Sequence, residues 1–243
     1  MRRMILVVLV ALSLMGWGAE VRAGHDDGIV WLGHASFKIA RQGKVVYIDP
    51  WRIAGEPQDA DVVLLTHPHF DHLSLEDLDK VAKADTVFVG PADCLTDLAG
   101  DRRTVRPGDR LELGEITVEA VPAYNTNKAY HPQDKRWVGF IVALGGTRIY
   151  HAGDTDVIPE MRDFHVDVAL LPVSGTYVMT AEEAATAAAI LDPKLAVPMH
   201  YGTIVGSEED ARRFKARCDP IPVKIYTGAS ARRSVDGSCC SVS

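Results

Sequence analysis

The sequence predicts an α+β fold, a four-layer αββα sandwich in which two mixed β-sheets pack face to face with helices on the outside. Three observations predict it. Short β-rich runs alternate with capped helices, the two halves of the chain repeat a similar order of strand, hairpin and helix, and no Pro/Gly/Ser-rich linker divides them. With 243 residues, 47% of them hydrophobic, one large core is the default.

The elements follow in order. Ile29 to Ala40 and Lys44 to Ile48 read as strands joined by a turn at Gln42-Gly43, the second stopped by Asp49-Pro50. Asp61 to Leu65 is a nearly continuous apolar run, the mark of a strand buried on both faces. Ser74 is placed to cap a helix over Leu75 to Lys83, with Asp77 in the capping-box position. Thr86 to Val89 is a short strand. Leu111 to Leu113 and Thr117 to Val121 form a hairpin around Gly114-Glu115, and Val138 to Leu144 and Arg148 to His151 form another around Gly145-Gly146. Asp167 to Leu171 is a further apolar strand. Thr180 and Glu183 cap a helix that runs through six alanines to Leu191, small enough to pack close on a sheet. Leu195 to Met199 is the last strand, and Ser207 caps a final helix to Arg217.

Arg2 and Arg3 precede an apolar run from Met4 to Met15, followed by Val21-Arg22-Ala23 with small residues where a signal peptidase reads. The expectation is a cleaved signal peptide over residues 1–23 and a single domain over residues 24–243, periplasmic or secreted. The run is shorter than the roughly 20 residues that span a bilayer, so no stable membrane anchor is expected after cleavage. Removing residues 1–23 takes away three Arg and one Glu, leaving 23 basic against 32 acidic residues and a formal charge of −9. That balance, with basic clusters no denser than pairs such as Arg102-Arg103 and Arg212-Arg213, argues against nucleic acid, and the expected partner is a small-molecule substrate. Cys94, Cys218, Cys239 and Cys240 lack metal-finger spacing. They allow three disulfide pairings, among which the sequence does not choose.

The chemistry concentrates in THPHFDH, Thr66 to His72. His67 and His69 are two apart, so on extended chain their imidazoles share a side, and Asp71 continues it. His72 follows as the chain turns. Three imidazoles and a carboxylate directly after a buried strand suit Zn²⁺ and other borderline divalent ions. Asp154 in HAGDT and His200 in PMHYG, each after a strand, complete a binuclear site, with the Asp154 carboxylate able to bridge two metals.

HPHFDH after an apolar strand, then GDT, then a late His after a strand resembles the metallo-β-lactamase superfamily of metal-dependent hydrolases, over residues 29 to about 230. The stretches WLGHASFKI, YIDPW, YHAGDTD and PMHYG look most like its branch that includes L-ascorbate-6-phosphate lactonase. The resemblance implies the metallo-β-lactamase fold, His67 and His69 on a first metal, Asp71, His72 and His200 on a second, and Asp154 bridging. The family's third histidine on the first metal falls at about Tyr124, in VPAYNTNKAYHP, and tyrosine is a poor ligand at an ordinary pKa near 10. His131 in the same loop is either its substitute or a residue that meets substrate or solvent.

The expected function is hydrolysis of an ester, lactone or phosphoester-type bond of a small polar or anionic substrate. Two divalent ions, zinc first with manganese or iron as alternatives, would present a metal-bound hydroxide. Asp71 would orient the nucleophile and take its proton, and His34 would aid proton transfer or position the metal loop. Asp49 reads as an acceptor that fixes a ligand histidine. Tyr124, Asn125, Lys128 and Tyr130 are the expected substrate contacts. The alternative is an exported metal- or solute-binding protein that keeps the fold without turnover.

Overall fold

The structure, a computed structural model, describes residues 28–226. The expected signal segment, Cys239 and Cys240 lie outside the described residues. Two six-stranded sheets carry the architecture, each with its strands in chain order. The first holds β1 (Ile29–Gly33), β2 (Ser36–Arg41), β3 (Lys44–Ile48), β4 (Ala60–Leu64), β5 (Ala82–Gly90) and β6 (Asp101–Thr104). The second holds β7 (Arg110–Leu113), β8 (Ile116–Pro122), β9 (Val138–Leu144), β10 (Thr147–His151), β11 (Val168–Pro172) and β12 (Leu195–Met199). Each begins antiparallel and ends parallel: β1, β2 and β3 are antiparallel and β3 to β6 parallel, while β7 to β10 are antiparallel and β10 to β12 parallel. Both sheets are therefore mixed, as the sequence predicts.

The period of two along each strand decides what the sheets bury. Val46, Ile48, Val62 and Leu64 face the second sheet and share one core with Val118, Phe140, Val142 and Ile149. Their neighbours Tyr47, Val63 and Leu65 point outward onto Leu78 and Val81 of α1 (Leu75–Val81) and Leu95 of α2 (Ala92–Leu95). A buried strand flanked on both sides has no polar face to show, which explains why β4 is apolar at every residue but Asp61. On the far side α3 (Ala181–Leu191) lays its buried alanines on the second sheet, and α4 (Glu208–Arg217) packs beside it through Ala211 and Phe214. At α3 the Thr180 hydroxyl accepts from Glu183 N at 3.1 Å and the Glu183 carboxylate accepts from Thr180 N at 2.8 Å, the reciprocal cap the sequence predicts.

Four local differences have physical causes. The first predicted strand is two, because Gly33 (φ 119°) and His34 (φ 52°) turn the chain back so that Gly33 pairs with Ser36. α1 stops at Val81 and the chain enters β5 at once, four residues before the predicted strand. Asp77 does not complete a capping box: Ser74 Oγ accepts from Asp77 N, but the Asp77 carboxylate accepts from Arg52 N and Ile53 N at 2.8 and 2.9 Å. It thereby pins the 50–53 loop to α1. β6 was not predicted, since its four residues, DRRT, are all exposed at the sheet edge and carry no apolar alternation. Cys94 and Cys218 are both free and buried in different cores, so they do not pair with each other.

Candidate metal centre

Six chain segments deliver side chains to one edge of the sandwich: the β1–β2 turn, the ends of β3, β4, β10 and β12, and the loop after β8. THPHFDH follows β4, and within it the turn is closed by His72 N and Leu73 N donating to His69 O. His67 and His72 are both fully enclosed, and each is aimed by the same carboxylate. Asp49, buried after β3, accepts from Thr66 N (2.8 Å), Thr66 Oγ1 (2.6 Å) and His72 Nδ1 (2.7 Å). The Thr66 hydroxyl, with its proton given to Asp49, accepts from His67 Nδ1 at 2.9 Å. One acid therefore fixes the tautomer of two imidazoles and turns both Nε2 atoms toward Asp154.

Asp154 is the hub. Its carboxylate lies 3.3 Å from His72 Nε2, 3.1 Å from His200 Nε2, 3.3 Å from His131 Nε2 and 4.0 Å from His67 Nε2. His200 is set by Ser174 Oγ on its Nδ1 at 3.0 Å. His34 brings its Nε2 within 2.9 Å of Asp71 Oδ2, and its Nδ1 meets Thr203 Oγ1 at 3.1 Å. Ligand-type atoms fall into three sets, each spanning no more than 4.8 Å: His67, His69 and His131; His67, His72 and Asp154; and His34, Asp71, His72 and His200.

His131 thus stands with His67 and His69, where the resemblance left a gap. Its Nε2 is 3.3 Å from His69 Nδ1, and its ring is fixed by Asn125, whose Oδ1 accepts from His131 N at 3.0 Å and faces Nδ1 at 3.1 Å. Tyr124 turns the other way and gives its hydroxyl to Glu160 at 3.0 Å. Burial and Glu160 raise its pKa. Lys128 pairs with the buried Asp156 at 2.6 Å. Of the four expected substrate contacts, Tyr124, Asn125 and Lys128 have internal partners, and Tyr130 stays half exposed against Tyr177.

Sequence reasoning missed Thr66, Ser174 and Thr203, whose hydroxyls carry no pattern in the chain. It also missed Trp137, whose ring centroid lies 5.0 to 5.8 Å from those of His67, His69 and His131, while its indole N–H donates to Asp93 at 2.8 Å.

These side chains fit a divalent cation on an observation independent of any motif. His67 Nε2, His72 Nε2, His200 Nε2 and Asp154 Oδ1 are all buried without a hydrogen-bond partner, and all converge. Native proteins leave only a few such atoms per hundred residues, and four gathered at one point call for an explanation. Burial drives His67 well below its ordinary 6.5 and His131 down to about 4, so both imidazoles are neutral and able to ligate. At His72 burial works the same way, but Asp154, Asp49 and Asp71 outweigh it and push the pKa up to about 9. Burial would raise Asp154, yet His200, His72 and His67 hold it well below the ordinary carboxylate range. The carboxylates thus call for positive charge where the imidazole nitrogens are free.

Residues 28–200 match the Beta-lactamase superfamily domain. A UPF0173 metal-dependent hydrolase from Caldivirga maquilingensis is 35% identical over 215 residues, 81% of this chain and 92% of that protein. Among solved structures, a candidate metal-dependent hydrolase from Parabacteroides distasonis superposes with a TM-score of 0.71 at 33% identity, covering 81% of this chain and 91% of that one. Igni18, a metallo hydrolase from Ignicoccus hospitalis, superposes with a TM-score of 0.68 at 28% identity, covering 82% and 94%. With the histidine-aspartate cluster at the edge of its two sheets and relatives that it matches along nearly their whole length, the chain belongs to the metallo-β-lactamase superfamily, among its metal-dependent hydrolases.

Proposed function

We propose that this chain is an exported hydrolase that holds two divalent cations and cleaves an ester, lactone or phosphoester-type bond of a small substrate. The observation that carries the reading is the convergence of three buried, unpartnered imidazole nitrogens, of His67, His72 and His200, on the Asp154 carboxylate, whose Oδ1 is itself unpartnered. His67, His69 and His131 make one cation position and Asp71, His72 and His200 a second, with Asp154 between them. When bound, such cations lower the pKa of water toward neutrality and polarise the scissile bond.

The chain's own residues do the rest. Asp71 is less deeply enclosed than His67 and His72, and its carboxylate orients the attacking water and accepts its proton. His34 acts through Asp71: with Thr203 donating to its Nδ1, its Nε2–H is left to hold one Asp71 oxygen. Burial would raise Asp71, but the His34 hydrogen bond and His72 lower it, keeping it ionised and able to act as a base. The place of His131 beside His67 and His69 weighs against a fold kept without turnover, because that alternative rested on the missing third ligand.

Metal content and hydrolysis of an ester, lactone and phosphodiester panel test the reading. Bound metal with hydrolysis that Asp71→Ala abolishes is expected. Bound metal with no hydrolysis by wild type would overturn it. Export is supported by the N-terminal apolar run, which precedes the matched domain at residue 28. It predicts a mature N-terminus near Gly24 in exported protein, and an intact Met1 in the membrane fraction would reject it.

A further inference from the structure

A cavity of about 470 Å³ opens beside His34, between the outer face of β1 to β3 and the 51–57 loop. Leu32, Trp51, Ile53 and Pro57 supply its apolar wall, and Thr203, the hydroxyl on His34 Nδ1, lines it as well. The polar groups at its floor satisfy one another: Lys38 Nζ and Tyr47 OH both donate to Asp59. Arg52 lines the cavity too, its guanidinium 4.2 Å over the Trp51 ring. A ligand there meets a largely apolar surface with one cation beside it.

The cavity adjoins the metal edge through Trp51 and Thr203, both of which reach His34. Trp51 lies 5.4 Å from the His34 ring on one side and 6.3 Å from Phe70 on the other, centroid to centroid. Phe70 sits inside HPHFDH and is 69% exposed. Tyr130, next to His131, is 51% exposed, and Ile204, four residues after His200, is 39% exposed. Of the five large hydrophobic side chains exposed among the described residues, three therefore ride on the loops that present the ligand histidines. Scattered exposed apolar residues need no explanation, but a set gathered around one site marks a binding surface. The polar loop residues Asn125 and Lys128 are meanwhile turned to internal partners.

We propose that the substrate carries a hydrophobic group, an acyl chain or aromatic ring, which occupies the Leu32–Trp51–Ile53 cavity while its scissile bond lies at the Asp154 cluster. The proposal rests on the hydrolase reading above and narrows its substrate to hydrophobic esters or lactones.

The test is a series of p-nitrophenyl esters from acetate to octanoate on zinc-loaded protein, with Ile53→Trp as a cavity-filling variant. In wild type kcat/KM should rise with chain length by up to about fourfold per buried methylene. In Ile53→Trp the rise with chain length should flatten. A turnover-independent measurement accompanies it: 1-octanol should shift the NMR resonances of Trp51 and Leu32 in wild type. Acetate hydrolysis with a flat series, with or without octanol shifts, overturns the proposal and leaves the hydrolase reading standing. Octanol shifts at Trp51 without hydrolysis of any ester support the cavity and count against ester chemistry. Absence of those shifts overturns the cavity even if Ile53→Trp does not fold.

Discussion

Replacing Asp49 by Asn tests whether one carboxylate organises half of the metal edge. Asp49 accepts three hydrogen bonds in a fully buried position, from Thr66 N, Thr66 Oγ1 and His72 Nδ1. An amide of the same shape keeps one accepting oxygen and turns an NH₂ toward the remaining donors. Its best orientation leaves the oxygen on Thr66 Oγ1 and His72 and faces NH₂ against Thr66 N. One buried donor left unmet costs about 1–3 kcal/mol. At about 2–4 °C per kcal/mol for a domain of this size, the metal-free Tm should fall by about 2–12 °C. The functional effect is separable, because the charge that keeps His72 Nδ1–H pointed inward, and through Thr66 that of His67, is gone. Loss of such an outer partner weakens metal binding by about 10–100-fold. Thermal unfolding of metal-free protein and zinc titration against a competing chelator measure the two. An Asn variant with wild-type zinc affinity refutes the orienting role, whatever happens to Tm.

His131→Ala should release metal from the His67–His69 position, and unchanged metal content with weaker substrate binding would make His131 a substrate contact instead. His34→Gln, whose amide can still donate to Asp71, should retain more hydrolysis than His34→Ala, and equal losses would exclude the hydrogen bond as the cause. Asp77 is depressed below its ordinary 3.8 because hydrogen bonds from Lys80, Ile53 N, Ser74 and Arg52 N outweigh its burial. A depressed carboxylate adds stability that is complete above its unfolded value and lost as pH falls through its folded one. Below pH 3.8 wild type should therefore lose stability more steeply than Asp77→Asn, and parallel urea midpoints in that range would rule this out.

The strands were legible because their burial is periodic. β4 is apolar at every residue but Asp61, since helices and a second sheet cover its two faces, and β4, β10 and β12 lead into the ligand residues. The cluster was legible where residue type is itself the signal, as in the three histidines of THPHFDH. Where a role depends on what lies across space, the chain is silent. Ser174 and Thr203 are ordinary loop hydroxyls until the fold sets them on His200 and His34. His34 could be singled out from its stretch, but not the turn that aims it at Asp71. Lys128 illustrates the converse: a lysine in a candidate binding loop looks available until Asp156, 28 residues on, is seen to hold it.

The backbone at the metal edge shows why ligands sit there at a cost in stability. His34, Asp49 and His200 all take left-handed conformations, with φ of 52°, 46° and 60°. Such positions favour glycine, and each non-glycine residue there is destabilised by about 1 kcal/mol or more. Each follows directly on a strand end or tight turn, where the chain must leave the sheet without its next side chain pointing back into the core. They are also interlocked: His200 N donates to His34 O, Asp49 N to Leu64 O, and His151 Nε2 closes on Ala35 O beside His34. Glycine would relax all three positions and remove a metal-edge imidazole, the orienting acid or a candidate ligand. Stability and chemistry are thus opposed at the same residues, and the surrounding hydrogen bonds hold the strained geometry in place.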